Sequence, residues 1–350
     1  MQTIAVAGHV CVDVRPHLGA GTGLDPGKLI EVGPADVTLG GVVGNTAFDL
    51  AALGAGVRVF ATIGDDVFGG IVAAQLAADP LVDAHPRVVP GASTSYSLIL
   101  ESAGADRTIW HHVGANALFD GRDLDTTDVD LLHLGYPPLL PGVLVDDGEP
   151  LVAALQEAKA LGVTTSVDLA VLDPLSPVAG HDWQRILARM AAVTDVVSPS
   201  LDDLTSALRV DEPYSPGLVD RLARLLLRWG AGVVAISAGE HGLHLVTASA
   251  ERLRSAGSAL APHAEMWADR TLTVPTVVRD VPVTTNGAGD ASSAGLLYGI
   301  GCGAGPDRSA LLAAACAGAR VGGERTTPDA VSRIRRDLAP LFPSILPRRI

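Results

Sequence analysis

Apolar, β-branched runs of strand length alternate with small-residue or amphipathic stretches of helix length along almost the whole chain, and this alternation leaves few architectures open. "TIAVAGHVCVDV", "VRVFATIG", "VDLLHLGY", "VTTSVDLA", "TDVVSPS" and "GVVAISAG" read as buried strands. Between them "NTAFDLAALGA", "GGIVAAQLAAD", "GEPLVAALQEAKALG", "HDWQRILARMAA" and "LVDRLARLLLRWG" read as helices. Asn45 is placed as N-cap of the first, and Gly54 or Gly56 as its stop. The last third adds two strand-like pieces and helices over about 289–301 and 308–322. Such a pattern implies an α/β fold, a mostly parallel sheet with right-handed crossovers and helices on both faces. Composition agrees: 48% of residues are hydrophobic, only 4% are aromatic and 39 are glycine, so small side chains must do the close packing. At 350 residues the chain reads as a single domain, 1–350.

The alternation breaks twice. "STSYSLILES" and "RTIWHHVG" read as two strands around a short turn, a hairpin inside a β/α chain. The segment after the first strand is also β-rich. These inserts, about 11–41 and 92–113, are expected to form a small sheet standing off the main one. Ligands in such folds bind at the carboxyl ends of the parallel strands, where this sheet would act as a β-lid. An exposed sheet face or edge wants covering, so a homodimer through the lid is expected.

Several function classes fall away. A formal charge of −14 argues against a nucleic-acid partner and requires any anionic substrate to be met by local positive ends. Cys11, Cys302 and Cys316 show no metal-ligand spacing and point to a reducing, cytoplasmic setting. The start carries no basic region of a signal peptide, and no apolar run reaches the roughly 18 residues of a membrane span. Neither G-x-x-x-x-G-K-[ST] nor a G-x-G-x-x-G after the first strand is present, which sets aside P-loop enzymes and dinucleotide oxidoreductases. His111 and His112 would face opposite sides of a strand and form no chelating pair, and Asp65–Asp66 reads as a turn.

"TTNGAGDASSAG", Thr284 to Gly295, carries the chemistry. Gly287, Ala288 and Gly289 leave backbone N–H groups uncovered where a helix begins, and those groups with the helix dipole stabilise charge on a transferring phosphoryl group. Asp290 in the same turn can accept the proton of an attacking hydroxyl. The bland alternative is an ordinary turn with Asp290 as a helix cap. A second cluster, "LGGVVGN", spans Leu39 to Asn45. Gly40 and Gly41 allow a close backbone approach, and Asn45 offers donor and acceptor to a polyol, or only a cap. Asp13, at the end of the first strand run, can hold two sugar hydroxyls, or only begin a turn.

Together these stretches resemble the ribokinase-like (PfkB) carbohydrate kinases. The first signature is "GGVVGNTAFDLAALGAGVRVFATIGDDVFGG" and the second "TTNGAGDASSAGLLYGI"; "ADRTIWHHVGAN" looks like the family's lid return and "ISAGEHG" like its nucleotide-side turn. The resemblance spans nearly the whole chain. It implies ATP-dependent phosphorylation of a sugar or sugar-acid hydroxyl, with Asp290 as general base and Gly287, Ala288 and Gly289 as anion hole. It also implies a sugar site of Asp13, Gly40, Gly41 and Asn45, with Arg107 and Asn116 from the lid return. Ser200, Ser237 and Gly239 would serve the nucleotide, beside the helix at about 308–322. Asp203 stands where the family's Asn-x-x-Glu places the Glu that orders magnesium-bound water, so ATP with Mg2+ is implied. Three departures follow. Thr284 replaces an Asp that helps to hold a monovalent cation such as K+, which weakens that expectation. Ser200 and Asp203 replace Asn and Glu, and Val42 replaces the Lys of true ribokinases, which weakens ribose. A nucleoside kinase of the same family, for which only Tyr96 and Trp110 offer lid aromatics, and a non-catalytic sensor of sugar or nucleotide are the alternatives.

Overall fold

In the computed structural model, residues 3–19, 26–101, 108–122, 124–277 and 283–342 are described. Thirteen strands occur among them: β1 (Thr3–Gly8), β2 (Cys11–Pro16), β3 (Ala35–Gly40), β4 (Gly56–Gly64), β5 (Val82–Val89), β6 (Tyr96–Leu100), β7 (Thr108–His112), β8 (Leu131–Gly135), β9 (Thr164–Val167), β10 (Val196–Val197), β11 (Val233–Ser237), β12 (Leu243–Thr247) and β13 (Thr271–Val274). Nine build the main sheet in the order β13-β12-β11-β10-β9-β8-β1-β4-β5. The run from β11 to β5 is parallel, and β12 and β13 add antiparallel at one edge. β1, β8, β9, β10 and β11 are buried almost throughout, as the unbroken apolar runs require when helices cover both faces.

The second sheet is separate, in the order β3-β2-β6-β7. Its strands come from the two segments that interrupt the alternation. β2 pairs antiparallel with β3 and parallel with β6, and β6 pairs antiparallel with β7. "TIAVAGHVCVDV" is therefore two strands in two sheets, not one. Gly8 at φ +119° makes the break, where a Cβ would lie 2.1 Å from the Gly135 oxygen. His9 N then donates to that same carbonyl at 2.7 Å.

The helix Ala288–Gly301 runs through the core, buried from Asp290 to Ile300, and packs on Pro306–Val321. The two come unusually close because Gly295 and Gly299 carry no side chain. A Cβ at Gly295 would sit 2.8 Å from the Leu312 oxygen, and one at Gly299 2.6 Å from Ser309 Oγ. In a core at organic-crystal density such contacts leave little room for sliding, so the first turn of this helix is held in a fixed place. Asp66 caps Val67–Ala77 by accepting from Gly69 N, and Asp65 accepts from Gly91 N, so the acidic pair does form a turn. No described helix is long and apolar enough to cross a membrane.

Candidate active site

Every parallel strand next to the centre ends in a polar residue at the same rim. His9 follows β1, Tyr136 follows β8, Asp168 follows β9, Ser198 follows β10 and Ser237 ends β11. The helix Ala288–Gly301 points its first turn at this rim.

Asp290 is at the centre. Its carboxylate is buried (7% exposed), and three neutral donors hold it. Asn45 Nδ2 donates to Oδ2 at 3.0 Å, Thr46 Oγ1 donates to Oδ1 at 2.9 Å, and the Tyr136 hydroxyl also donates to Oδ1. A carboxylate has about four acceptor positions, so one remains for an incoming hydroxyl. Burial pushes its pKa up to about 6, the donors pulling back against that rise. A base so tuned is ionised near neutrality and still takes a proton readily. These contacts reach other segments of the chain, and the carboxylate makes no cap bond to its own helix. Asn45 occupies the N-cap position of Thr46–Leu53 yet makes no side-chain cap bond. Its amide bridges Asp290 on one end and Arg320 on the other, Arg320 Nη2 donating to Asn45 Oδ1 at 3.4 Å.

In the turn before Asp290 the expectation of uncovered N–H groups fails at Ala288, whose N–H donates to Thr285 O at 3.3 Å. Gly287 sits at φ +75°, a region open to glycine at little cost, and Gly289 has open space where a Cβ would be. Arg320 closes the other side. Its guanidinium lies 3.2–3.5 Å from where a Gly287 Cβ would stand, and it is paired with buried Asp49 at 3.4 Å. Its Nε is buried and has no hydrogen-bond partner. A guanidinium with its Nε–H unused, beside the N–H groups of a glycine turn, forms a pocket suited to an anion.

On one flank, beneath the small sheet, Asp13 and Gly40 come together. A Cβ at Gly40 would collide with the Asp13 carboxyl at 2.4–2.5 Å, so only glycine there leaves that carboxyl in place. Gly41, at φ +77°, does the same for His9, whose Nδ1 would lie 2.3 Å from a Cβ. Burial raises the pKa of Asp13, and the Cys11 thiol donates to its Oδ1 at 3.2 Å. His111 faces inward to His9, while His112 turns the other way to Tyr96, as strand alternation requires.

On the other flank, Ser237 and Gly289 line one cleft with Ser198 and Ser292. Gly239 takes φ +55° in the following turn. Ser200 and Asp203 form a capping box on Leu201–Leu208, with Ser200 Oγ accepting from Asp203 N and Asp203 Oδ2 accepting from Ser200 N. Asp203 is buried and its pKa is pushed up to about 6 by that burial. Asp168 is buried as well, and its pKa stands well above the usual carboxylate range through burial first and then the charges of Asp203 and Asp290.

One sequence candidate stands apart. Asn116 is fully buried, with Nδ2 donating to Val10 O at 2.9 Å and Oδ1 accepting from Val10 N at 3.3 Å, so both ends of its amide pin the β1–β2 junction. Arg107 lies outside the described residues. Conversely, Thr46, Tyr136, Asp168, Arg320, His9 and His111 belong to the site without having been singled out for it. Tyr136 and Asp168 each follow a parallel strand, which was a usable signal. Arg320, near the end of an alanine-rich helix, had none.

A profile describing "pfkB family carbohydrate kinase" matches residues 1–332. Among curated proteins, a probable fructokinase-7 of Arabidopsis thaliana is 25% identical over 309 residues, covering 85% of this chain and 79% of that one. Among solved structures, the Arabidopsis thaliana ribokinase complexed with ribose and ATP superposes with a TM-score of 0.71 at 17% identity, over 95% of this chain and 98% of that one. The Burkholderia thailandensis nucleoside kinase in complex with inosine gives 0.67 at 19%, over 97% and 98%. The likeness in structure establishes a ribokinase-like fold, and the profile match over nearly the full length goes further: the chain belongs to the pfkB family of carbohydrate kinases, phosphotransferases that act on an alcohol group.

Proposed function

We propose that this kinase transfers the γ-phosphoryl of ATP to a hydroxyl of a sugar or sugar acid, with Asp290 as general base. The observation that carries the reading is the Asp290 carboxylate, buried in the first turn of Ala288–Gly301 with one acceptor position open. The sugar would lie under the small sheet against Asp13, Gly40, Gly41 and Asn45. Its hydroxyl attacks in line as Asp290 removes the proton. The N–H groups of Gly287 and Gly289 receive the phosphoryl oxygens, that of Ala288 joins them by giving up its bond to Thr285 O, and the Arg320 guanidinium opposes their charge from across the turn. Ser198, Ser200, Ser237 and Gly239 border the nucleotide. Closure of the small sheet as a lid would exclude water and suppress idle ATP hydrolysis.

Asp168 and Asp203 fit a hard divalent cation. They are buried carboxylates, the charge of Asp203 bears on Asp168 in a way a cation would relieve, and they are the residues to hold Mg2+, directly or through water. Magnesium bound there would neutralise charge on the ATP phosphates.

The inner wall favours a sugar over a nucleoside. Tyr96 packs at a tilt against Phe68 and His112, and Trp110 shares the His112 face of β7, so neither aromatic faces the side of Asp13, Ser97 and His111. Neither of these two lid aromatics offers a base a platform there. The relatives named for fructose and ribose support the same choice, while the one solved with inosine keeps nucleosides in the test. Val37 and Trp110 expose apolar surface on one face of the small sheet and Ile109 on the other, which supports a homodimer closed through it.

Coupled ADP release from wild type and Asp290→Asn, over a panel of sugars and nucleosides with ATP and Mg2+, tests the reading. At least one sugar should turn over, and the variant should lose roughly a hundredfold or more, the scale of a general base. A substrate handled equally well by Asp290→Asn removes the mechanism. Ligand binding without any ADP makes the protein a sensor.

A further inference from the structure

Beneath the small sheet three side chains with metal-ligating atoms converge: His9 from the turn after β1, Cys11 from β2 and His111 from β7. Their ligating atoms all lie within 4.8 Å of one another, and the two imidazoles meet Nε2 to Nε2 at 3.3 Å. We propose that His9, Cys11 and His111 form a binding site for a borderline-soft divalent cation, Zn2+ first among them.

The geometry is close to what zinc requires. Tetrahedral Zn2+, with bonds of about 2.0–2.1 Å to nitrogen and about 2.3 Å to sulfur, holds two nitrogen ligands about 3.3 Å apart and nitrogen and sulfur about 3.6 Å apart. The imidazoles already stand at the nitrogen–nitrogen spacing. The thiol has to close by at most about 1.2 Å from the 4.8 Å within which the three atoms lie. Both imidazoles are held neutral, His9 by burial and then by His111, and His111 by burial, down to about 4. Neutral imidazole is the form that binds metal.

Without a cation the facing Nε2 atoms can share only one proton, so one lone pair serves the other ring. A cation takes both lone pairs at once and puts the proton of each ring on Nδ1. For His111 that proton points at Ser97 Oγ, 3.2 Å away, the kind of outer partner that orients a ligating histidine. His9 Nδ1 is buried without a partner in either tautomer, so metallation gives up no bond there. The Cys11 thiol loses its proton to solvent as the Zn–S bond forms, one proton released per ion bound. The Asp13 carboxylate, 3.2 Å from that sulfur, adds negative charge beside the site and can fill the fourth position, as can water.

His9 follows the main sheet and His111 belongs to the small one, so the ion would tie the two together. Resting on the sugar site proposed above, this makes Zn2+ an inhibitor competitive with the sugar.

The test uses the full chain, freed of metal, titrated with Zn2+ by calorimetry and with Co2+ by visible absorption. Expected are one ion per chain, a thiolate-to-cobalt charge-transfer band, and displacement by the sugar substrate. Cys11→Ser should abolish the band, and His111→Gln should weaken binding by roughly a hundredfold or more, beyond the 10–100-fold typical of outer-shell changes. Cys302→Ser, at an exposed cysteine elsewhere, should change neither. Unfolding midpoints identify any variant that fails to fold, and the wild-type cobalt spectrum decides alone if both do. Binding without a thiolate band, or binding that survives both ligand changes, overturns the site. A thiolate-ligated ion that no sugar displaces leaves the metal site standing and removes the sugar site from this pocket.

Discussion

The glycine turn at Gly287–Asp290 and the wall under the small sheet face each other across the rim, yet they are made in opposite ways. The turn is one continuous stretch, with its donors, its carboxylate and its helix dipole all within a few residues. The wall is assembled from the end of β1, from β2, from the β3–Gly41 corner and from β7. Each part of the wall is positioned by strand pairing or by an absent side chain, as Gly40 makes room for Asp13 and Gly41 for His9. Transition-state charge is the same for any acceptor, so its machinery can be compact. Acceptor shape differs from enzyme to enzyme, and a wall of separate strands can change one residue at a time.

If the division holds, damage to the turn lowers kcat and damage to the wall raises the KM of the acceptor. After Asp290 the largest effect should come from Arg320. Arg320→Gln removes a guanidinium beside the anion pocket, so kcat should fall by roughly tenfold to a hundredfold, the acceptor KM moving no more than about threefold. Initial-rate kinetics in both substrates decide it; a loss confined to acceptor KM would move Arg320 to the wall. Gly40→Ala comes next. Its Cβ must displace the Asp13 carboxyl, 2.4–2.5 Å away, so acceptor KM should rise about tenfold while the KM of ATP stays put. An equal drop in kcat with both KM values unchanged would break the division.

The same contrast explains what could be read in advance. Alternating periodicity exposed the main sheet, and its interruption exposed the second one, because both are properties of neighbouring residues. β5 was not legible: its Val82–Val89 pattern is half polar and contains Pro86, which an edge strand tolerates and a central one would not. The break at Gly8 was hidden because "AGHVCV" stays apolar across it, and only the sheet-to-sheet crossing reveals the hinge. Within the site, Asp290 and its turn were legible from local chemistry. His9 with His111 was not, since adjacent His111 and His112 drew attention to a pair that strand alternation forbids. Arg320 finds its partners Asn45 and Asp49 far along the chain, and no spacing rule reaches that distance.

A smaller effect should appear in the pH profile. Asp290 must be ionised to accept a proton, and burial raises its pKa to about 6, so kcat/KM should fall below about pH 6 and stand about tenfold lower near pH 5. An unperturbed aspartate would place that limb near its ordinary value of 3.8. The Tyr136 hydroxyl favours the ionised form, so Tyr136→Phe should move the limb upward. A limb that stays with Tyr136→Phe but disappears with Asp290→Asn would leave Tyr136 a packing role only.

The smallest expected effect concerns potassium. Thr284 stands where many relatives would carry an acid, and its backbone N–H donates to Val321 O at 3.4 Å, next to Arg320. The guanidinium of Arg320 already sits against Gly287, so a permanent positive charge occupies this side of the turn. A second cation close by would be repelled, and the turn has less need of one. Exchanging K+ for Na+ or for tetramethylammonium at constant ionic strength should therefore change kcat by less than about twofold. The comparison sharpens with Arg320→Gln, where the repulsion is gone and added K+ should recover part of the lost rate. A wild-type enzyme that K+ accelerates tenfold would show instead that the turn is not complete in its own residues, and that the charge on Arg320 is directed elsewhere.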